Sequence, residues 1–330
     1  MQSVSQSLVI PIYKNAANIP DLLVVLRRLH SELNGDLEVV LVVDGSPDNA
    51  LQLLQNALPE QPYPAQLIEL SRNFGSFPAI RHGMAAARGE AIAVMAADLQ
   101  EPPELILQFF AALRTDQADL VLGQRSGRSR TQADGWLSAR LATLFWSLYR
   151  HFVVPDMPPG GVDVFACNRR VRDDLLSLRE TNSSLVSQLF WLGHRRLFIP
   201  YQRQTRSKGK SAWNLRRKIR YMLDSVFAFS DLPIFMLLWL GVFGIFASVL
   251  SGTIVFVAWL LGAITVQGYT PVMLLIAFIG SILIFGQGII GCYVWRAAEN
   301  TKQRPLTLVQ SHQTYRQRQL DQSKGDQDKD

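Results

Sequence analysis

Five places along this 330-residue chain put a reactive side chain at the end of a short apolar run. Tyr13 follows SLVIPI, Asp44 follows LEVVLVV, Ser71 to Asn73 follow QLIEL, Asp98 follows AIAVMAA, and Arg125 follows ADLVLGQ. Carboxylates in such positions can supply oxygen ligands to a hard divalent cation. Arginines supply planar forks that match phosphate oxygens. Asp98 has a second oxygen donor, Gln100, two residues on. Each also has a structural alternative. Asp98 precedes Pro102 and Pro103 at a spacing that suits a helix N-cap, Asp44 before Gly45 makes an ordinary turn, and Arg72 with Asn73 can simply close a strand.

The elements that must position these groups show in the hydrophobic period. The five runs are β-branched and strand-like, and the segments between them have helical period. This alternation is the rhythm of a parallel sheet, in which ligands lie outside the carboxyl ends of the strands. The polar residues above are therefore predicted to converge on one edge of a single α/β domain spanning residues 1–205. A Trp- and Leu-rich stretch from Gln132 to Phe152 is helical in period and packs either on the sheet or on lipid. No internal repeat stands out.

Composition places the chain at a membrane. Cys167 and Cys292 are the only cysteines, and Cys292 lies in an apolar run, which excludes a disulfide scaffold. The N-terminus lacks the basic n-region of a signal peptide. From Leu232 to Trp295 there is no Asp, Glu, Lys, Arg or His, a run of roughly sixty residues where one spanning helix needs about 20. Two membrane helices are predicted near 234–260 and 272–295, joined by the polar turn GAITVQGYTP. Basic residues flank both ends, so both termini and the catalytic part are expected in the cytoplasm, at the inner (plasma) membrane. Residues 206–231 form a basic loop and an amphipathic interfacial helix with Leu215, Ile219, Met222, Val226 and Phe229 on one stripe. The net charge of +6 gathers beside the apolar segment, which fits anionic lipid and excludes nucleic acid as a partner. Residues 296–330 are expected to be a largely disordered cytoplasmic tail.

Five motifs stand in order: Pro11-Ile12-Tyr13, Val43-Asp44-Gly45-Ser46, RNFGSFPAIRHG from Arg72, ADLQEPPE from Ala97 and GKSAW from Gly209. With the two apolar segments that follow, the chain from Leu8 to Arg304 resembles a family 2 glycosyltransferase of the polyprenyl-phosphate type. That group includes dolichyl-phosphate mannose synthases and bacterial undecaprenyl-phosphate glucosyltransferases.

The resemblance implies a GT-A fold, a Rossmann-like and mostly parallel sheet, ahead of the interfacial helix and the transmembrane hairpin. It implies that Pro11, Tyr13, Asp44, Ser46, Arg72 and Asn73 hold the nucleotide sugar. Ala97 and Asp98 would handle its diphosphate through Mg²⁺ or Mn²⁺ bound by Asp98 and Gln100. A divalent cation disperses charge on the leaving diphosphate without a proton donor. Arg125 matches a family arginine assigned to the acceptor phosphate, and Arg140 is a second candidate. Asp163, in GGVDVF, stands where relatives carry a Gly-Asp-Phe motif near the reaction centre, and a buried structural carboxylate is the alternative. Arg206, Lys208, Lys210 and Ser211 resemble a mobile basic loop that closes over the donor. The chain departs from the pattern at three places: Ala96 replaces the first Asp of Asp-x-Asp, Val43 replaces the first Asp of Asp-Asp-Gly-Ser, and Lys14-Asn15 replaces Asn-Glu.

The implied reaction is inverting transfer of a hexose, with glucose favoured, from a UDP-sugar to a polyprenyl phosphate for a cell-envelope glycan. A phosphate monoester is largely dianionic at neutral pH, so no general base is demanded. A processive polysaccharide synthase would need more membrane helices and a Gln-x-x-Arg-Trp motif. A catalytically silent nucleotide-sugar-binding scaffold is the reading that Ala96 suggests. Glycines such as Gly241, Gly244, Gly252, Gly280, Gly286, Gly288 and Gly291 offer close helix packing within the hairpin or between protomers, and a homo-oligomer, a tetramer by resemblance to bacterial relatives, is expected.

Overall fold

The computed structural model describes residues 4–126, 156–158, 161–180, 183–204, 232–261 and 269–316. Each predicted strand is present: β1 (Gln6–Ile12), β2 (Glu38–Val43), β3 (Ala65–Leu70), β4 (Ala91–Val94) and β5 (Leu120–Arg125). Between them run α1 (Ile19–Glu32), α2 (Ala50–Ala57), α3 (Ser76–Ala86) and α4 (Pro103–Arg114). Beyond them lie β6 (Val162–Asn168), α5 (Arg169–Ser177), α6 (Leu185–Trp191) and β7 (Arg196–Tyr201). Two long helices, α7 (Leu232–Leu260) and α8 (Tyr269–Thr301), and a last strand, β8 (Val309–Tyr315), complete the described chain.

The eight strands form one sheet in the order β7-β5-β6-β4-β1-β2-β3-β8. The centre, β4-β1-β2-β3, is parallel. It is flanked by antiparallel pairings of β6 with β4 and β5, and of β8 with β3, while β7 runs parallel to β5. The sheet is therefore mixed but mostly parallel, as expected: β6 and β8, which the hydrophobic pattern did not reveal, run against their neighbours, and the other strands share one direction.

Helices cover both faces. Leu8, Ile10 and Ile12 of β1 and Val39, Leu41 and Val43 of β2 pack in one core with α1, α2 and α4. The alternate residues Val9, Val40 and Val42 pack in the second core, with α3, α5 and α6. Period-two alternation sends successive side chains to opposite faces, and two covered faces explain why the strands read as unbroken apolar runs. At the end of the sheet away from the polar edge, Glu38 is buried yet fully partnered. Its carboxylate accepts from Ser7 Oγ (2.8 Å), Gln66 Nε2 (2.8 Å) and Arg88 N (2.9 Å).

The expected disordered tail does not hold for residues 296–315. Helix α8 continues to Thr301, and β8 adds an antiparallel strand to β3. Polar composition misled here, because an edge strand needs little to bury when its backbone is paired and its side chains find partners. His312 Nε2 lies 2.8 Å from Gln66 Oε1, Ser311 Oγ donates to Glu69 (2.9 Å), and Thr307 Oγ1 lies 3.0 Å from His82 Nδ1. The strand also covers an edge that would otherwise be open to another chain. Ending the chain after Pro305 is expected to lower the melting temperature by several degrees or more. Each net backbone hydrogen bond contributes about 1 kcal/mol, and each kcal/mol shifts a domain of this size by about 2–4 °C. An unchanged melting curve by scanning calorimetry would show that β8 does not stabilise the domain.

Helices α7 and α8 fall where the two membrane helices were predicted and touch each other. A Cβ on Gly286 would come 2.9 Å from Leu237 Cδ1. Open space lies over Gly241, Gly244, Gly280, Gly288 and Gly291. Large apolar side chains such as Phe243, Phe246, Ile284 and Phe285 are exposed. Among the described residues, one segment, Phe278–Thr301, is long and apolar enough to cross a membrane, with a shorter apolar stretch at Pro233–Gly244. The Trp-rich stretch 132–152, the interfacial helix, the basic loop and Arg140 lie outside the described residues.

Candidate active site

The polar residues at the strand ends gather in two groups along the carboxyl edge. In the first group, the turns after β1 and β2 are tied together. Lys14 N donates to Ser46 Oγ (2.7 Å), Ser46 Oγ donates to Asp48 Oδ1 (2.6 Å), and Ala16 N donates to Asp48 Oδ2 (2.9 Å). Tyr13 sits beside this lacing, with Lys14 Nζ 5.4 Å from its ring centre.

Asp44 is 2 % exposed and organises the neighbouring loop. Its carboxylate accepts from Phe74 N (2.7 Å) and Gly75 N (2.9 Å), and its carbonyl accepts from Asn73 Nδ2 (3.3 Å). Gly45 has φ +53°, and a Cβ there would overlap the Arg72 backbone and lie 2.5 Å from Asn73 N. Glycine is thus required twice, for the left-handed backbone and for the close approach. Arg72 is exposed, with its guanidinium carbon 4.0 Å from the Phe74 ring centre in a cation–π arrangement, and its Nη1 donates to the Asn73 carbonyl (3.3 Å). The β8 segment reaches this loop, since Ser71 N donates to the Leu308 carbonyl (2.9 Å).

The second group lies where β4, β5, β6 and β7 meet. Asp98 is 9 % exposed. Helix α4 begins at Pro103 with Pro102 at its N-cap, so Asp98 is not the residue at that position. Leu99 has φ +54°, an uncommon conformation for a bulky residue, held at a cost of order 1–3 kcal/mol and found most often at functional turns. Gln100, predicted to share a cation with Asp98, is engaged elsewhere. Its amide oxygen accepts from Arg203 Nη2, its Nε2 donates to the Gln204 carbonyl (3.3 Å), and its carbonyl accepts from Gln204 N (2.8 Å).

Arg125, at the end of β5, pairs with Asp163 on β6, and both are about one-third exposed. Arg203 Nη1 lies 3.9 Å from the same Asp163 oxygen, and Tyr201 Oη donates to it at 3.5 Å. Tyr201 packs on Gly123, where a Cβ would come 3.1 Å from the ring. Burial, then the charges of Asp163 and Glu101, push the Tyr201 phenol well above its usual range, which keeps it a neutral donor.

Glu101 is 2 % exposed, and its Oε2 has no hydrogen-bond partner among the described residues. Burial first, then the charges of Asp98 and Asp163, push its carboxyl up to about 7, against the pull of Arg203. Three carboxylates here face two guanidinium groups. The group therefore combines an acidic floor with a cationic rim, a setting for phosphate and cation together.

Sequence reasoning missed Glu101, Tyr201, Arg203 and Asp48. Glu101 stood inside the ADLQEPPE run and was assigned no role there. Tyr201 ends the strand RLFIPY and Arg203 follows it closely, so the rule that found Arg125 would have found them had β7 been recognised. Arg206, Lys210 and Ser211 lie outside the described residues. Pro11 lies within β1, and Ala97 is buried beside Asp98.

Comparison with known proteins agrees with this geometry. The profile described as glycosyl transferase family 2 matches residues 7–178, and the chain belongs to that family. It is 30 % identical, over 93 % of its length and 95 % of the relative's, to an uncharacterised glycosyltransferase of Synechocystis. It is 29 % identical to the putative glycosyltransferase CsbB of Bacillus subtilis, covering 92 % of this chain and 90 % of that one. It is also 29 % identical to the bactoprenol glucosyl transferase of Shigella phage SfX, covering 92 % and 98 % respectively. The chain is a glycosyltransferase with a GT-A-like mixed α/β sheet.

Among the described residues no three His, Cys, Asp or Glu side chains surround one point. A hard cation remains compatible with the site. Mg²⁺ commonly binds through one or two carboxylates, with phosphate and water completing its shell, and a buried carboxylate oxygen without a partner fits such a ligand.

Proposed function

We propose that this enzyme transfers glucose from UDP-glucose to a polyprenyl phosphate at the cytoplasmic face of the membrane, with inversion at the anomeric carbon. The observation that carries the reading is the second group, an arginine-rimmed acidic site at the strand ends. The named activity of the phage relative, similar across nearly the whole chain including the apolar helices, supplies the acceptor and sugar class.

In this reading a phosphate oxygen of the acceptor attacks the anomeric carbon as the bond to UDP breaks. The lipid-linked sugar and UDP are the products. The first group, with Pro11, Tyr13, Asp44, Ser46, Arg72 and Asn73, binds the nucleoside. Asp44 acts by fixing the 72–75 loop, and Arg72 offers an exposed guanidinium. Asp98 holds the divalent cation, Mg²⁺ or Mn²⁺, which would supply charge stabilisation for the departing diphosphate. Arg125, steadied by Asp163, receives the acceptor phosphate, and Arg140 is the second candidate for that role. Arg206, Lys210 and Ser211 close over the diphosphate.

Incubating the purified protein with a panel of labelled nucleotide sugars and polyprenyl phosphates, then extracting lipid, tests the reading. Label from UDP-glucose in the lipid phase is expected. Label from another sugar alone would reassign the donor.

Helices α7 and α8 are read as a hairpin in the inner membrane, with protomers associating as a homo-oligomer, a tetramer in bacterial relatives by resemblance. The uncharged stretch between them and the basic flanks support this topology. A cysteine at Gln267 is expected to react with an impermeant reagent from outside, while one at Lys208 is protected. The reverse pattern would contradict the topology and the access to a cytosolic donor.

A further inference from the structure

Glu101 has no role in the reading above, yet its surroundings set it apart. A buried charge normally has its hydrogen bonds made, and Glu38 shows how this chain satisfies one, with both oxygens accepting from the protein. Glu101 is as deeply buried as Glu38, each 2 % exposed, but its Oε2 has no partner among the described residues. The charges acting on it are mostly of its own sign, those of Asp98 and Asp163. The intervening Leu99 is in the left-handed conformation, with φ +54°.

The position two residues before Asp98 carries Ala96, which has no ligand atom. The amide oxygen of Gln100 is taken by Arg203. A hard cation that draws on one or two protein carboxylates would then find its second on the other side of Asp98.

We propose that Glu101 is the second carboxylate ligand of the divalent cation, replacing the group absent at Ala96, so that the site reads Asp98-x-x-Glu101. The inference rests on the metal-assisted reading of the site. Its role differs from that of Gln100, whose bonds tie the β4 turn to the segment after β7.

The test measures binding rather than turnover. Mn²⁺ retention by the full-length protein with UDP is followed by electron paramagnetic resonance for the wild type, Asp98→Asn, Glu101→Gln, and Glu101→Gln combined with Ala96→Asp. Glu101→Gln is expected to weaken Mn²⁺ at least about tenfold, as loss of a charged ligand does, and Ala96→Asp is expected to restore much of it. The melting temperature of Glu101→Gln without metal is expected to match or exceed the wild type, since a neutral isostere removes a buried charge. Mn²⁺ affinity within twofold of wild type in Glu101→Gln, with loss in Asp98→Asn, would overturn the role of Glu101 and leave the metal reading standing. Retention in both single variants would overturn both.

Discussion

Asp98→Asn is expected to lower sugar transfer at least about a hundredfold while leaving the protein folded and inserted. Removing one preorganised group that stabilises transition-state charge costs on the order of a hundred- to thousandfold, which is about 2.7–4 kcal/mol. Asp98 is positioned for that work: it lies in the turn that follows strand β4 (Ala91–Val94), is 9 % exposed, and is not the N-cap of α4. Asn keeps the volume and one oxygen, so lost turnover would report charge rather than shape. Chelation by EDTA is expected to match the loss, with Mg²⁺ or Mn²⁺ restoring the wild type. Near-normal turnover of Asp98→Asn would remove this carboxylate from the mechanism. Chelator-resistant transfer would move the charge stabilisation to Arg72, Arg203 and the basic loop.

Much of the site was legible because strand ends are legible. The runs ending at Tyr13, Asp44, Ser71, Asp98 and Arg125 are buried on both faces, so their apolar signal is strong and its end is sharp. What escaped lay where that signal is weak. Strand β8, VQSHQTY, is a polar edge strand whose stability comes from its pairing with β3, which no local pattern records. Strand β6 carries Asp163 within an otherwise buried run and turns the sheet antiparallel, and β7 is only partly buried. With β7 unrecognised, Tyr201 and Arg203 had no element to place them.

The same limit applied to role as well as position. Asp44 was found from its place after β2, but its two bonds to the Phe74 and Gly75 amides come from a loop thirty residues away in sequence. Its contribution is therefore to loop geometry, through contacts that a linear motif does not contain. Glu101 was visible as a letter in a motif, and only burial distinguishes it from Glu104, which meets Arg28 at the surface.

The acceptor side gives the second large effect. Arg125→Ala is expected to raise the apparent KM for polyprenyl phosphate about ten- to hundredfold, with a much smaller change for the nucleotide sugar. Loss of a charged hydrogen-bond partner costs about 1.5–3 kcal/mol, and here it falls on one substrate. The geometry adds a second consequence. Arg125 neutralises Asp163, so its removal leaves that carboxylate facing an incoming dianion, offset among the described residues by Arg203 at 3.9 Å and the Tyr201 hydroxyl at 3.5 Å. Repulsion then adds to the lost attraction. The double variant Arg125→Ala with Asp163→Asn is accordingly expected to recover part of the acceptor KM that Arg125→Ala loses, because the uncompensated charge is gone. Steady-state kinetics with each substrate varied in turn separates the cases. A rise in donor KM with flat lipid dependence would place Arg125 at the diphosphate, and the acceptor phosphate would pass to Arg140 or the loop at Arg206. Equal losses in the single and double variants would show that Asp163 exerts no repulsion on the acceptor and that Arg125 acts by direct contact alone.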